Sequence, residues 1–390
     1  MNSKDDTMLE LQSPTAYSPN QPWLEQAKYL GSQFAERRTQ TNESDRFVAE
    51  NFADLRRYGF ASAGVPTELG GGGASYIEMS GVLRELAHHC SSTALAFAMH
   101  THQVMIPVWR WQRQNAPVEG LLRRIAMEQI ILLSSGGSDW LDGSGTATRV
   151  EGGFRINGCK VFASGAPAGD LLMTSAVYND PDAGATVLHF AIPVQAEGVR
   201  IDPIWHAMGM QGTGSHNIVL SDVFVPDAGI ALRRPQGEWH PLFHIISMLA
   251  FPLIYSVYVG VAEAARDLTV QLIQKRQANG HIAYLMGGIE NELMAARLAL
   301  QHMLTVADSS QPGFETTNQI MMGRTLAARA VLNVVDLAME ATGGTAFYRS
   351  VGLEQLFRDA QAARYHPLRE GDQRRLAGQL ALNWTVETKH

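Results

Sequence analysis

Between residues 242 and 262 the chain reads LFHIISMLAFPLIYSVYVGVA, without one charged side chain. Such a segment has no polar face to turn toward water, so it must be surrounded, by lipid or by other parts of the protein. About twenty apolar residues are enough to span a bilayer. This stretch, however, contains His244 and Pro252, stands alone, and lacks Lys or Arg close to both ends. Each of these features penalises insertion. The segment is therefore read as the central helix of a bundle, and no membrane partner is expected.

The flanking sequence supplies the walls of that bundle. From 236 to 390 helical periodicity dominates, with long amphipathic stretches at 289–307 and 327–341, the second stopped by Gly343-Gly344. Residues 22–130 are helical as well. Ser44-Asp45 is placed to cap a helix presenting Phe47, Val48, Phe52 and Leu55, and further helices are expected at 76–90 and 92–111. Between them, over 131–235, the apolar period drops to two. Thr146, Thr148 and Val150 alternate, Glu151-Gly152-Gly153 turns the chain, and Phe154 and Ile156 alternate back as a hairpin. Strands are also expected at 170–177, 186–193 and 216–225, with Gly and Pro punctuating them as in a small sandwich or barrel. Residues 1–21 are polar, lack a signal-peptide core and read as a flexible tail. The plan is thus tail 1–21, helical domain 22–130, β domain 131–235 and helical bundle 236–390.

Composition narrows the function classes. A formal charge of −7, with basic residues only in short pairs such as Arg37-Arg38 and Arg123-Arg124, gives no general attraction to nucleic acid. The two cysteines, Cys90 and Cys159, form no zinc spacing and read as buried free thiols of a reducing, cytoplasmic environment. No phosphate-binding P-loop, HExxH or GxSxG motif occurs, and LGGGGAS at 69–75 follows no strand, so it is not a dinucleotide fingerprint. His88-His89 and His100-x-His102 lie on helices, where residues one or two apart do not share a face. No metal site is expected.

The β zone is chemically denser. SSGGSDW at 134–140 is a hydroxyl- and glycine-rich loop that lets backbone N–H groups approach a flat polar ligand. KVFASG at 160–165 places Phe162 and Ser164 two residues apart on the same strand face. An aromatic side chain covering an isoalloxazine face and a hydroxyl meeting its N5 or O4 would suit a flavin. Phe-x-Ser on a strand is equally ordinary in a core.

Taken in order, GVPTELGGGGASYIEM (64–79), ALAFAMHTHQV (94–104), 136–170, GMQGTGSHNIVLSDVFVP (209–226), GGTAFY (343–348) and LFRDA (356–360) resemble the acyl-CoA dehydrogenase superfamily over nearly all of 22–385. The resemblance implies an α+β multi-domain fold: an N-terminal helical domain, a middle β-barrel and a C-terminal four-helix bundle. It further implies FAD between the last two domains, a homodimer or homotetramer, an acyl-CoA-like substrate and electron-transfer flavoprotein as redox partner. By the same resemblance Ser134, Ser135, Ser138, Phe162, Ser164, Arg276, Gly343 and Gly344 contact the flavin. Thr213, Ser215 and His100 border the substrate, although Thr213 and Ser215 are also plausible turn residues.

The match fails at the catalytic base. Most of the family places a Glu eight residues after the Asp of its Arg-Asp pair; counted from Asp359, that position holds Pro367. A minority place it on the earlier bundle helix, but no acid lies between Glu238 and Glu263. The family's Arg-x-x-Phe-Gly becomes Arg276-Gln-Ala-Asn-Gly280, and Glu340 stands where a Gln normally precedes the two glycines, an anion beside the expected pyrophosphate. Attention shifts to His366. It is either a helix-end residue interacting with the dipole, a substitute base, or the counterpart of a His in the superfamily's monooxygenases, which take reduced flavin (FMN or FAD) from a separate reductase. The reading carried forward is FAD-dependent dehydrogenation with His366 catalytic. A two-component flavin monooxygenase is the alternative, and an inactive member used for assembly is the third.

Overall fold

A computed structural model describes residues 23–40, 46–135, 141–277, 279–367 and 369–386. The uncharged segment lies in α6 (Leu242–Ile273), and 94% of the most apolar 18-residue window of that helix is buried within the protein. Around it pack α3 (Tyr76–His89), α4 (Ser91–Gln114), α7 (Gly280–Ser309), α8 (Phe314–Thr342) and α9 (Leu353–Ala360). The contact with α3 is very close. A Cβ on Gly260 would sit 2.2 Å from the Arg84 carbonyl, so only glycine allows this approach. Ser80 and Ser256 share a hydrogen bond at 2.7 Å across the same contact. The Tyr76 hydroxyl donates to the Leu249 carbonyl at 2.8 Å, near Pro252, which cannot donate to the helix ladder. Completing the helical parts are α1 (Trp23–Gln40), α2 (Ala49–Arg57), α5 (Glu119–Glu128) and α10 (Glu370–Ala381).

The β region forms one eight-stranded sheet from β1 (Leu132–Ser134), β2 (Thr146–Val150), β3 (Gly153–Ala163), β4 (Leu171–Asp180), β5 (Gly184–Pro193), β6 (Val199–Asp202), β7 (His216–Pro226) and β8 (Ile230–Pro235). Its order is β6-β7-β3-β2-β4-β5-β8, with β1 pairing parallel to β4. The expected hairpin is β2–β3, in register from Thr146 opposite Asn157 to Val150 opposite Gly153.

Several local expectations change. Ser44-Asp45 lies outside the described residues, and α2 begins at Ala49 with Val48 before it and no side-chain cap. The capping device belongs to α3, where Ser75 and Glu78 exchange hydrogen bonds. Helices α7 and α8 begin earlier than the stripes at 289–307 and 327–341, and these added turns already bury Leu285 in α7 and Ile320 and Met321 in α8. Cys159 is exposed rather than buried, because the alternation of β3 turns it outward; Cys90 is buried.

Sheet and bundle meet at Asp359 on α9, which is 1% exposed. Its carboxylate accepts from the Met210 backbone N–H at 2.5 Å and from the Ser91 hydroxyl, tying the loop before β7 and the start of α4 to one group. Gly209 fits the same junction: a Cβ there would lie 2.2 Å from the Arg358 carbonyl. Asp359→Ala leaves both donors buried and unmatched, each such loss being worth about 1–3 kcal/mol. The variant is therefore expected to lose about 2–5 kcal/mol of stability by urea denaturation. A change within about 0.5 kcal/mol would show that the junction does not depend on this carboxylate.

Candidate functional site

After α9 the chain makes a short 3-10 turn over Gln361–Arg364 and reaches His366 and Pro367. The turn is held from below by the bundle. The Tyr255 hydroxyl donates to the Ala363 carbonyl at 2.7 Å. Arg324 Nη2 donates to the carbonyls of Ala363, Arg364 and His366 at 3.2, 3.3 and 2.7 Å. The imidazole of His366 then faces α6, its Nε2 2.6 Å from the hydroxyl of Tyr258.

That contact bears on the protonation state of the ring. Tyr258 is fully buried, and burial, reinforced by Tyr255, pushes its hydroxyl well above the usual phenol range, so it keeps its proton. The arrangement that satisfies both groups has Tyr258 donating to Nε2, which leaves the imidazole hydrogen on Nδ1. Burial first, then the charge of Arg324 and the nearness of His102, lowers the pKa of His366 to about 3. A ring that stays neutral has no charge to place on a helix dipole.

His102 and His100 occupy α4. His102 donates from Nδ1 to its own helix at the Ala98 carbonyl (3.1 Å), and its Nε2 accepts from Gln103 at 3.3 Å. His100, expected at the substrate, is instead a fastener. It receives the Leu132 N–H on Nδ1 at 2.9 Å and donates from Nε2 to the Ala61 carbonyl at 2.8 Å. Both ring nitrogens are used, and at 1% exposure none of the ring remains for a ligand.

A second cluster lies at the sheet end. Phe162 is 60% exposed and its backbone has φ +56°, so β3 breaks its alternation there and shifts register between Lys160 and Ala163. Phe162 and Ser164 are therefore not two positions on one regular strand face. The Phe162 ring instead stands edge-on to Trp205, centroids 6.1 Å apart. Ser164 joins a chain of hydroxyls through Ser215 (2.8 Å) to Thr213 (2.7 Å). Thr213 donates to the Met210 carbonyl at 2.9 Å. Each hydroxyl has one hydrogen, so this anchor sets the direction: Ser215 donates to Thr213, and Ser164 to Ser215. Thr213 and Ser215 are 0% and 4% exposed, which makes them supports for Ser164 rather than substrate contacts. Ser164 faces any ligand with lone pairs.

The remaining expected contacts form two further groups. Ser134 ends β1, and Ser135 accepts from Thr174 at 3.1 Å; Ser138 lies outside the described residues. At the end of α8, Arg276 donates to the Thr342 carbonyl at 3.0 Å, beside Gly343. Gly343 has φ +63°, and a Cβ at Gly343 or Gly344 would meet nothing within 4 Å, so the pair borders open space. Glu340 and His281 stand 3.9 Å apart nearby, both exposed. The first cluster is joined to the second through Asp359 and Met210, which sit between the His366 turn and Thr213.

Comparison with known proteins agrees with this layout. Residues 25–115, 134–223 and 253–370 match the N-terminal, middle and C-terminal domains of acyl-CoA dehydrogenase. The chain belongs to the acyl-CoA dehydrogenase superfamily. YdbM of Bacillus subtilis (strain 168), whose name assigns it provisionally to the acyl-CoA dehydrogenases, is 27% identical over 88% of this chain and 92% of its own length. Dibenzothiophene monooxygenase of Mycolicibacterium goodii is 29% identical over 82% of this chain and 84% of its own. A solved structure of KijD3 with FMN and dTDP-3-amino-2,3,6-trideoxy-4-keto-3-methyl-D-glucose superposes with a TM-score of 0.84 at 23% identity, covering 96% of this chain and 97% of that one.

The position at which the resemblance places a carboxylate base holds Pro367, and the acid described on the facing stretch of α6 is Glu263. Glu263 on α6 is held by Arg84 at 3.1 Å and Arg297 at 2.7 Å. Three residues of the cluster had gone unselected in the sequence: Tyr258, His102 and Arg324. Arg324 did leave a signal, because it falls on the buried stripe of Ile320, Met321, Ala327, Ala328 and Val331, where a charge is out of place. Tyr258 left a weaker one, a hydroxyl in a helix with no wet face.

Burial holds His100 and His102 each at a pKa of about 4, below the ordinary 6.5. The unfolded chain therefore binds protons that the folded one refuses, and this pair's contribution to stability is lost as pH drops from about 6.5 through about 4. Urea midpoints between pH 7 and 4 are expected to report uptake of about two protons on unfolding from this pair. A pH-independent midpoint over that window would contradict the buried, neutral assignment.

Proposed function

We propose that this chain is a flavin-dependent monooxygenase that binds reduced flavin supplied by a separate reductase; the dehydrogenase reading gives way to this alternative. The observation that carries the proposal is the state of His366. A dehydrogenase needs a group that takes the α-proton of its substrate, and an effective base has its pKa near the working pH. His366, with Nε2 occupied by Tyr258 and Arg324 beneath its turn, is poorly suited to become an imidazolium. It is well suited to donate one hydrogen bond from Nδ1 without changing charge.

The residues fit a flavin on two observations. The exposed Phe162 ring offers a flat apolar surface at the sheet end. Beside it, Ser164 is polarised by Ser215 and Thr213 to accept a hydrogen. Reduced flavin carries a hydrogen on N5 and oxidised flavin does not, so this polarity favours the reduced form. FMN fits better than FAD, because Glu340 places a carboxylate near the open space at Gly343 and Gly344, where a pyrophosphate would have to lie. When bound, reduced flavin supplies the activation of dioxygen. The chain supplies a ring surface, an acceptor at Ser164 and a neutral donor at His366. The relative named as a dibenzothiophene monooxygenase and the FMN-binding KijD3 support the same reading.

Anaerobic titration tests it. Reduced FMN is expected to bind about 10-fold tighter than oxidised FMN, the worth of one well-placed hydrogen bond. Ser215→Ala is expected to remove most of that preference, because Ser164 is then free to turn and donate. His366→Ala is expected to retain reduced-flavin binding while substrate oxidation falls about 10²–10³-fold, as on loss of one preorganised donor. Tightly bound yellow FAD that is bleached by an acyl-CoA would restore the dehydrogenase reading, and binding of no flavin in either redox state would point to an assembly role.

A further inference from the structure

We propose that Arg324 is a positioning residue for His366: it grips the 363–366 turn through its carbonyls and, as a buried cation, opposes protonation of the imidazole. The inference rests on the reading of His366 as a neutral donor in the site, and it assigns a role to a residue that touches neither substrate nor cofactor.

The argument begins with cost. Arg324 is 1% exposed on the apolar face of α8 and is the largest fully buried side chain among the described residues. Placing a charge there is expensive unless it is paired. Yet among the described residues no carboxylate forms an ion pair with it. Its partners are the three carbonyls of the turn, all reached from Nη2, and the ring of Tyr255, 5.5 Å from the guanidinium carbon. Its Nε has no partner. Carbonyls at the end of a helical turn carry partial negative charge and welcome a cation, but they do not neutralise it. Glu370, partly exposed and paired with Arg329, is the carboxylate that feels this charge, and the cation stays against the residue that ends the turn, whose carbonyl its Nη2 holds.

Geometry converts that charge into a restraint. The Ala363 carbonyl is shared by Arg324 and the Tyr255 hydroxyl, and the His366 carbonyl is held at 2.7 Å, so the backbone on both sides of Arg364 is anchored to the bundle. The groups acting on the imidazole then come from three helices: Tyr258 from α6, Arg324 from α8 and His102 from α4. None of them is an anion. His102 is itself held neutral by burial, and Asp359, the nearby carboxylate, is occupied by Ser91 and Met210. A neutral side chain with two N–H donors would serve to hold carbonyls. A cation does that and also penalises imidazolium.

The test is a pH titration of the His366 ring by ¹⁵N NMR in protein labelled at histidine, without flavin, with the signal assigned by its loss in His366→Gln. In the unmodified chain His366 is expected to show the Nδ1–H tautomer and to stay neutral to below pH 5. Arg324→Met is expected to raise its midpoint by about one pH unit or more, the effect of removing a unit charge a few ångströms away. Arg324→Lys, which keeps the charge, is expected to leave the midpoint low while the weaker grip broadens the ring signals. If Arg324→Met does not fold, Arg324→Gln takes its place, retaining carbonyl donors without charge. A midpoint near 6.5 in the unmodified chain overturns the proposal, as does a folded Arg324→Met or Arg324→Gln whose His366 titrates unchanged. Flavin is absent from this experiment. An Arg324-dependent titration in a protein that binds no flavin would sink only the functional reading, and a reduced-flavin binder whose His366 ignores Arg324 would sink only this one.

Discussion

A helical segment with no polar face, as α6 is over 242–262, leaves its own hydroxyls with nothing but protein to bond to. That constraint on α6 organises the rest of the molecule. Ser256 meets Ser80 of α3, Tyr255 reaches the carbonyl of Ala363, and Tyr258 reaches the ring of His366. Each bond draws a neighbouring element onto the central helix at a defined height. The site exists because the last of these partners is a titratable ring at the end of a turn, and because burial of the phenol decides which of the two groups holds the proton.

The sheet contributes through a different device. Its hydroxyls are ordered from one end by a backbone carbonyl, so the direction of donation at Ser164 is inherited from Met210 through two buried side chains. The same residue, Met210, gives its N–H to Asp359. One residue thus sets both the polarity of the sheet cluster and the seating of the helix that leads to His366. Two halves built from different secondary structure share a common reference point, and their chemistry is complementary: one offers an acceptor and the other a donor, and neither needs to change charge.

The broad architecture was legible because periodicity is a local property. The uncharged stretch at 242–262, the alternation around Glu151-Gly152-Gly153 and the glycines after α8 each dictate an element without reference to the rest of the chain. The resemblance added the flavin and pointed to His366. Harder to read was anything that depends on what a side chain meets across the fold. His100 and His102 look alike in the sequence, yet one is consumed by the backbone of β1 and the other bonds within its own helix at Ala98. Phe162 and Ser164 look like one strand face until the left-handed backbone at Phe162 separates them. Thr213 and Ser215 look like pocket residues, but their burial makes them the scaffold of a third hydroxyl. Arg324 was visible as a misplaced charge, though its purpose was not, because the carbonyls it holds lie about forty positions away in sequence.

The backbone at Phe162 has one more implication. A left-handed conformation in a bulky residue is uncomfortable by about 1 kcal/mol, and glycine would adopt it freely. An aromatic ring left out in water gains little in return. Conformational comfort and hydrophobic burial both argue against phenylalanine at this position, so its presence marks the end of β3 as a place shaped for something other than the protein's own durability.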